Sequence, residues 1–264
     1  IGEGGVGDKA YFYGADGDDA FEAHWDWAQL AGADGGYANR ADGFRFVYAR
    51  QPGGGTDSAK FFDRSDAADT FQAYSNLAYI TGAGGADYHN QAEGFEIVEG
   101  VSTGGADKAY LYQSADADRL VVWPTVADLA GGASGEGYAV RASGFPTLVV
   151  KEDPRVAHPV SVVDRAELHG SPGFDKLAAW KQYARFVSGP LFADICQFEI
   201  LEAFGEGGGD LATFYDTPAA ETFTAAAARA TLTDGAYDGE RIGGASYGNA
   251  ANGFRYVYAN STAG

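Results

Sequence analysis

The sequence predicts an all-β repeat protein, and a β-solenoid is the architecture we expect. Three observations carry this prediction. One pattern of residues recurs five times along the 264-residue chain. Apolar residues within each copy mostly alternate with polar ones, which is typical of strands with one buried face. Clusters of Gly, Asp, Asn and Ser separate the short apolar segments, as they do where strands end in turns.

Three blocks define the repeat. The first block reads Asp-x-Ala-x-(Phe/Leu), and its copies begin at Asp8, Asp57, Asp107, Asp164 and Asp210. Successive copies begin 49, 50, 57 and 46 residues apart. The second is an acidic-x-apolar triplet eleven or twelve residues later, beginning at Asp19, Asp69, Asp118, Asp175 and Glu221. The third carries an aromatic residue, a small residue four positions on and then Gly-Phe, ending at Phe44, Phe95, Phe145 and Phe254, with a worn copy ending at Phe198. We number the repeats 1 to 5, at residues 8–56, 57–106, 107–163, 164–209 and 210–259.

Short alternating segments within each repeat predict the strands. Ala10 and Phe12 in repeat 1 match Ala59 and Phe61 in repeat 2, and each pair would place its side chains on one face. Helical spacing occurs only around residues 176–186 and in the alanine-rich stretch 222–231. The chain is therefore expected to consist almost entirely of β-structure.

Two architectures suit a five-fold β-repeat of this length. A solenoid coil of three short strands and turns takes about 20–30 residues, so each repeat would form two coils of a parallel β-helix. The alternative is a five-bladed β-propeller with one repeat per blade. Repeats 1 and 5 are regular, whereas the end repeats of an isolated solenoid are usually atypical caps. The chain also begins with Ile1 rather than Met. For these two reasons we expect a processed segment of a longer, secreted or cell-surface array.

The composition excludes several functions. With 37 acidic and 18 basic residues the formal net charge is −19, which opposes binding to nucleic acid or to anionic lipid. A single Cys cannot form an internal disulfide. No apolar run reaches the roughly 18 residues that a membrane-spanning helix needs, so no membrane insertion is expected.

Clustered acids in the turns suggest calcium. Hard cations prefer six to eight oxygen ligands, and turns supply carboxylates together with main-chain carbonyls. The candidate ligands are three acids within four residues of repeat 1 and two in repeat 2, namely Asp16, Asp18, Asp19, Asp66 and Asp69. The alternative interpretation is that each acid caps a turn through its own side chain, as Asp commonly does where strands meet loops.

The repeat resembles those of large secreted bacterial proteins, notably from planctomycetes. The resemblance covers residues 8–259 and is clearest from Gly54 to Phe71 and from Gly208 to Phe223, where Gly-Gly and Asp precede the Ala-x-Phe strand and an acidic-Thr-Phe triplet follows. It implies a scaffold rather than a reaction. A more distant similarity links the Asp-rich turns to calcium-binding β-roll repeats, although their strict nine-residue period is missing.

These features predict a non-enzymatic extracellular scaffold for structure, assembly or adhesion. Its expected partners are other copies of itself, cell-surface or matrix components, and glycans. One alternative is a carbohydrate-binding propeller lectin that uses the four Trp residues. Trp25 and Trp27 would share one side of a strand, although the four Trp do not recur at one repeat position. The other is a polysaccharide lyase using a basic island at residues 151–185, which holds six of the 18 basic residues together with His158 and His169.

Overall fold

The computed structural model describes residues 2–3, 7–32, 34–82, 87–132, 137–159, 162–234 and 247–261. These residues form 26 strands and no helix, so the all-β prediction is confirmed. Residues 176–186 and 222–231, where the spacing looked helical, each form parts of two strands joined by a turn. In the first of these segments Leu177 and Ala179 are buried while their neighbours are more exposed, which is the alternation of a strand.

Each repeat contributes five strands. A short strand β1 (Gly2–Glu3) precedes them, and repeat 1 then forms β2 (Lys9–Tyr13), β3 (Asp19–Ala23), β4 (Trp27–Gly32), β5 (Ala38–Asp42) and β6 (Phe46–Arg50). Repeat 2 forms β7 (Ser58–Phe62), β8 (Thr70–Ala73), β9 (Leu77–Thr81), β10 (His89–Glu93) and β11 (Ile97–Val101). Repeat 3 forms β12 (Lys108–Gln113), β13 (Asp118–Trp123), β14 (Val126–Gly131), β15 (Tyr138–Ser143) and β16 (Thr147–Glu152).

The last two repeats follow the same plan. Repeat 4 forms β17 (Arg165–His169), β18 (Lys176–Trp180), β19 (Tyr183–Ser188), β20 (Leu191–Cys196) and β21 (Ile200–Phe204). Repeat 5 forms β22 (Leu211–Tyr215), β23 (Glu221–Ala225), β24 (Arg229–Asp234), β25 (Gly248–Asn252) and β26 (Tyr256–Asn260). In every repeat the first block of the sequence pattern leads into the first strand, and the second block begins at or beside the second strand.

The strands form two compact bodies, each with two sheets. The N-terminal body comprises residues 1–112 and 133–147, and the C-terminal body comprises 113–132 and 148–264. The sheets of the N-terminal body have the strand orders β1-β5-β4-β3-β7-β11-β15 and β2-β6-β10-β9-β8-β12. Those of the C-terminal body have the orders β14-β13-β17-β21-β25-β24-β23 and β16-β20-β19-β18-β22-β26.

Parallel pairing joins each repeat to the next within both bodies. Strand β3 of repeat 1 runs parallel to β7 of repeat 2, and β18 of repeat 4 runs parallel to β22 of repeat 5. A propeller blade would instead keep the strands of one repeat in a sheet of its own. The β-solenoid is therefore confirmed, and the propeller alternative is wrong.

The middle strands of a repeat form an antiparallel meander. In repeats 1, 2, 4 and 5 the second, third and fourth strands pair antiparallel in one sheet. The first and fifth strands of the same repeat pair parallel in the opposite sheet, as β2 with β6 and β7 with β11 show. The meander of repeat 1 thus lies in one sheet of the N-terminal body and that of repeat 2 in the other. The expectation that each repeat forms two coils of a parallel β-helix is wrong for these middle strands, because they pair antiparallel with one another.

Aromatic residues of the repeated blocks fill the core. In the N-terminal body Phe21, Phe61 and Phe71 are at most 1% exposed. The ring centroid of Phe61 lies 5.9 Å from that of Phe21 and 5.8 Å from that of Phe71. Each such ring buries on the order of 150–250 Å² of surface, so the recurring Phe positions supply much of the hydrophobic stabilisation.

The Gly-Phe block provides a turn with left-handed backbone. Gly94 has φ +84°, and a Cβ atom there would lie 2.5 Å from the carbonyl oxygen of Gln51. Gly is therefore required both by conformation and by space. In the worn copy of repeat 4 the same position is Gln197, which adopts φ 62°. A side chain in this region costs about 1–2 kcal/mol.

Candidate metal centre

The recurring acids link successive repeats. The backbone N–H of each second-block Asp donates to a carboxylate oxygen of the first-block Asp in the next repeat. The four pairs and their donor–acceptor distances are Asp19 to Asp57 at 2.7 Å, Asp69 to Asp107 at 2.6 Å, Asp118 to Asp164 at 2.8 Å and Asp175 to Asp210 at 2.9 Å. Hydrogen bonds to a carboxylate are about twice as strong as neutral ones, so each link stabilises a junction between repeats.

The same second-block acids cap their own turns. Each accepts a hydrogen bond from a backbone N–H four or five residues earlier, the donors being Ala15, Arg64, Ser114, Ser171 and Thr217. The acceptor atoms belong to Asp19, Asp69, Asp118, Asp175 and Glu221. The turn-capping interpretation of these acids is therefore supported at every repeat.

The predicted calcium ligands of repeat 1 surround a shallow pocket. Asp16 and Asp18 are exposed, Asp19 is buried, and with Asp34 they line a cavity of about 320 Å³. Asp18 accepts a hydrogen bond from the backbone N–H of Thr56 at 2.7 Å. Within the described part of the chain, these three predicted ligands do not form a group whose carboxylate oxygens all approach within 4.8 Å.

The predicted ligands of repeat 2 are separated by the fold. Asp66 is exposed and forms an ion pair with Arg64 at 2.7 Å, which lowers the pKa of Asp66. Asp69 is 1% exposed, and its carboxylate faces two other buried acids instead of Asp66. These acids are Asp63 and Asp107, neither of which the sequence indicated as a ligand.

Asp63, Asp69 and Asp107 form a cluster that we call the carboxylate triad. Asp63 follows β7, whereas Asp69 and Asp107 immediately precede β8 and β12. One carboxylate oxygen from each lies within 4.8 Å of the other two, and the residues are 5%, 1% and 0% exposed. The pairing of β8 with β12 brings Asp69 and Asp107 together, while the end of β7 brings Asp63 to them.

Neighbouring hydrogen bonds orient the triad. Asp63 accepts from the backbone N–H of Thr103 at 2.9 Å and from its hydroxyl at 2.6 Å. Asp107 accepts from the Ser102 hydroxyl at 2.7 Å through one oxygen and from the Asp69 N–H through the other. Ser102 and Thr103, in the last turn of repeat 2, thus help to hold both carboxylates in position.

Three ionised carboxylates at this spacing would repel one another strongly. At 4.8 Å and an effective dielectric of about 20, each pair costs about 3 kcal/mol. In the residues that the structure describes, no Lys, Arg or His forms an ion pair with any of the three. Burial, the largest cause, raises the pKa of Asp69, and it raises that of Asp107 to about 6. A proton or a cation held between these carboxylates would relieve this repulsion.

Comparison with known proteins does not assign the chain to a family. No family model, no curated protein and no solved structure matches the chain. Among the described residues there is also no helix that is long and apolar enough to cross a membrane.

Three of the four Trp of the lectin hypothesis, Trp27, Trp123 and Trp180, belong to stacked aromatic pairs. Trp123 and Trp180 do share a repeat position, five residues after the second-block acid, so the prediction that no position recurs among the Trp is wrong. The aromatic residue at this position stacks on an aromatic residue at or next to the end of the first strand of the next repeat, as His24 on Phe62, Tyr74 on Tyr112, Trp123 on His169 and Trp180 on Tyr215.

Trp25 and Trp27 do not share a strand face. Trp27 is the first residue of β4, and Trp25 lies in the turn before it, where it is 47% exposed. The rings of Trp27 and His24 stack at 4.1 Å between centroids. The expected two-Trp platform on one side of a strand is therefore wrong.

The basic island of repeat 4 carries several ion pairs. Arg155 pairs with Asp153 at 2.7 Å, Lys181 with Asp234 at 3.0 Å and Arg185 with Asp194 at 2.9 Å. His169 is part of the aromatic stack and contacts Glu167 at 2.7 Å. His158 lies 3.3 Å from the carbonyl oxygen of Asp153. These contacts describe the surroundings of the basic groups. They do not test the lyase hypothesis, which stays a prediction.

Proposed function

We propose that this protein is a non-enzymatic extracellular scaffold whose acidic β-repeats are stabilised by calcium and serve structure, assembly or adhesion. The observation that carries the proposal is the acid-to-amide link that recurs at all four junctions between repeats. A repeat whose recurring polar residues hold it to its neighbour is suited to building extended material, because stability is a sum over such junctions.

The aromatic positions support the same function. The recurring Phe residues fill the core, and the aromatic residue at or just after the end of the second strand stacks on the next repeat at four successive positions. Rings at these separations add about 0.5–1.5 kcal/mol per pair beyond their burial. The residues that define the repeat therefore act mainly between repeats.

Charge connects assembly with calcium. A net charge of −19 opposes close approach of two copies unless cations screen or bind the acids. We expect single chains in chelator and larger particles in millimolar calcium, measured by light scattering after gel filtration and by electron microscopy. Magnesium and sodium chloride at matched ionic strength are the controls. Single chains under all four conditions, with no binding to matrix material, would overturn the proposal.

Carbohydrate binding is a second candidate, favoured by a row of aromatic side chains in the N-terminal body. Tyr11 is 57% exposed and stacks on Tyr48 at 5.2 Å, and His89 continues the row to Tyr79. Exposed Tyr rings suit contacts with sugars because they combine an apolar face with a hydroxyl. A glycan array with the wild type and with Tyr11→Ala tests this candidate, and equal binding by both would contradict it.

A further inference from the structure

We propose that one face of the N-terminal body binds an extended, uncharged polysaccharide chain. The inference rests on the carbohydrate binding given above as the second candidate function, and it names both the surface and the class of sugar. The surface, which we call the tyrosine face, consists of the outward-facing residues of β2, β6, β10, β9, β8 and β12. These six strands are successive neighbours in one sheet of that body.

Burial shows which residues belong to the tyrosine face. Along these strands, residues that pack into the core alternate with residues that reach solvent. The inward residues include Phe12, Val47, Phe71 and Ile80, all of which are buried. Close packing beneath the sheet restricts its movement, so the outer side chains form a fixed array.

A row of Tyr and Gln crosses this face. Strand pairing places six outward residues side by side, in the order Tyr11, Tyr48, Gln91, Tyr79, Gln72 and Tyr110. Neighbouring strands lie about 4.8 Å apart, so the row is about 24 Å long. Tyr and Gln combine apolar surface with hydroxyl and amide groups. A sugar unit likewise combines an apolar C–H face with hydroxyls, so the row matches a sugar chain that lies across the strands.

Stacked rings add apolar surface along the row. The ring centroid of His89 lies 5.7 Å from that of Tyr48 and 5.3 Å from that of Tyr79. Tyr11 stacks on Tyr48 at 5.2 Å and belongs to β2, the outermost strand of the sheet. Because no further strand of this sheet lies beyond β2, the Tyr11 ring is the most accessible contact for a sugar.

The charge of the face selects the class of sugar. The chain has 37 acidic and 18 basic residues, yet Glu93 is the only acid among the outward residues of the six strands, and it pairs with Arg50 at 2.8 Å. The other charged residues of the face are Lys9 and Lys108. A uronate or sulfated chain would meet the field of a protein with a net charge of −19. An uncharged chain avoids that repulsion and covers no unpaired carboxylate.

Isothermal titration calorimetry with the 264-residue chain tests the inference. The probes are neutral hexamers of β-1,4-linked glucose and N-acetylglucosamine, the corresponding dimers, and a galacturonate hexamer. We expect at least one neutral hexamer to bind, and its dimer to bind at least about tenfold more weakly because it covers fewer positions of the row. The galacturonate hexamer should show no binding. Failure of both neutral hexamers to bind would overturn the inference.

Matched substitutions locate the binding surface. Tyr11→Ala should lower the affinity for the neutral hexamer about three- to tenfold, and Gln91→Ala, from the middle of the row, should act in the same direction. Tyr258→Ala is the control, because Tyr258 lies on β26 of the C-terminal body and is as exposed as Tyr11, at 57%. It should leave binding unchanged. Unfolding midpoints of the three variants show that each is folded when binding is measured.

The possible failures give different results. Affinity that Tyr11→Ala and Gln91→Ala leave intact, or that Tyr258→Ala lowers equally, would overturn the tyrosine face and leave carbohydrate binding standing. Tighter binding of the galacturonate hexamer would overturn the uncharged class. A wild-type chain that binds no sugar would refute the candidate function and the inference together, whereas the scaffold function is tested separately by particle size. Self-association that Tyr11→Ala abolishes, without sugar binding, would assign the face to a second copy and overturn the inference.

Discussion

The buried carboxylate of Asp164 makes the stability of this protein depend on pH in an unusual direction. Asp164 is 6% exposed and accepts hydrogen bonds from the Asp118 N–H at 2.8 Å and from Gln113 at 3.3 Å. Burial, the largest cause, raises its pKa from 3.8 to about 7, and the neighbouring charges of Asp118 and Glu199 act in the same direction. The folded chain therefore holds a proton here that the unfolded chain has already released.

The sign and size of the effect follow from this difference. Between pH 4 and 7 the folded state binds more protons than the unfolded state, so the free energy of unfolding falls as the pH rises. A shift from 3.8 to about 7 corresponds to about 4 kcal/mol at most, at 1.36 kcal/mol per pKa unit. The loss begins near pH 4 and is complete just above pH 7.

Urea unfolding of the wild type and of Asp164→Asn across this pH range measures the effect. Asn keeps an oxygen acceptor for the Asp118 N–H but cannot ionise, so the variant should show a flatter profile. Asp194→Asn is the matched control, because the hydrogen bonds of Asp194 to Arg185 and Tyr183 lower its pKa despite burial. The stabilisation that the ionised Asp194 carboxylate provides is present above the pKa that this residue has in the unfolded chain, and it is lost as the pH falls through the lower pKa of the folded chain. Parallel profiles for the wild type and Asp164→Asn would refute the reasoning.

Three further substitutions test other parts of the fold, each by the change in the free energy of unfolding. Gln197→Gly removes a side chain from a residue with φ 62° and should stabilise by about 1 kcal/mol; a loss of stability would show that the side chain is needed there. Phe71→Ala empties a core position that is 0% exposed and should cost about 3–5 kcal/mol; a cost below about 1 kcal/mol would contradict the packing described. His169→Ala removes the ring between Trp123 and Phe204 and should cost about 1–2 kcal/mol, whereas His169→Tyr, the residue found in repeats 1, 3 and 5, should cost little. Equal losses for the two His169 variants would rule out stacking as the reason.

The fold class was predictable because hydrophobic alternation and turn residues act locally. Pairs such as Ala59 and Phe61 define one buried face whichever strand lies beside them. The antiparallel meander inside repeats 1, 2, 4 and 5 was not predictable, since a buried alternating strand looks the same in parallel and antiparallel pairing. The Gly-Phe turn was visible as a motif, but its requirement for left-handed backbone became evident only from Gly94 and from the strained Gln197.

The candidate site was only partly predictable. Asp69 was identified because acids cluster in its loop, yet Asp63 and Asp107 lie 44 residues apart in sequence and meet through the pairing of successive repeats. The signal that could have found Asp107 is the register of the repeat, which places the second-block acid of one repeat beside the first-block acid of the next. The shared position of Trp123 and Trp180 was likewise visible from their equal distance to Asp118 and Asp175.

Unfolding of the wild type in calcium and in chelator tests the central claim, a calcium-stabilised acidic scaffold, most directly. At a free calcium concentration 100-fold above the dissociation constant, the account predicts a gain of about 3 kcal/mol in the free energy of unfolding. An unfolding midpoint that is identical in calcium and in chelator would contradict the claim and leave the recurring acids as caps and links between repeats.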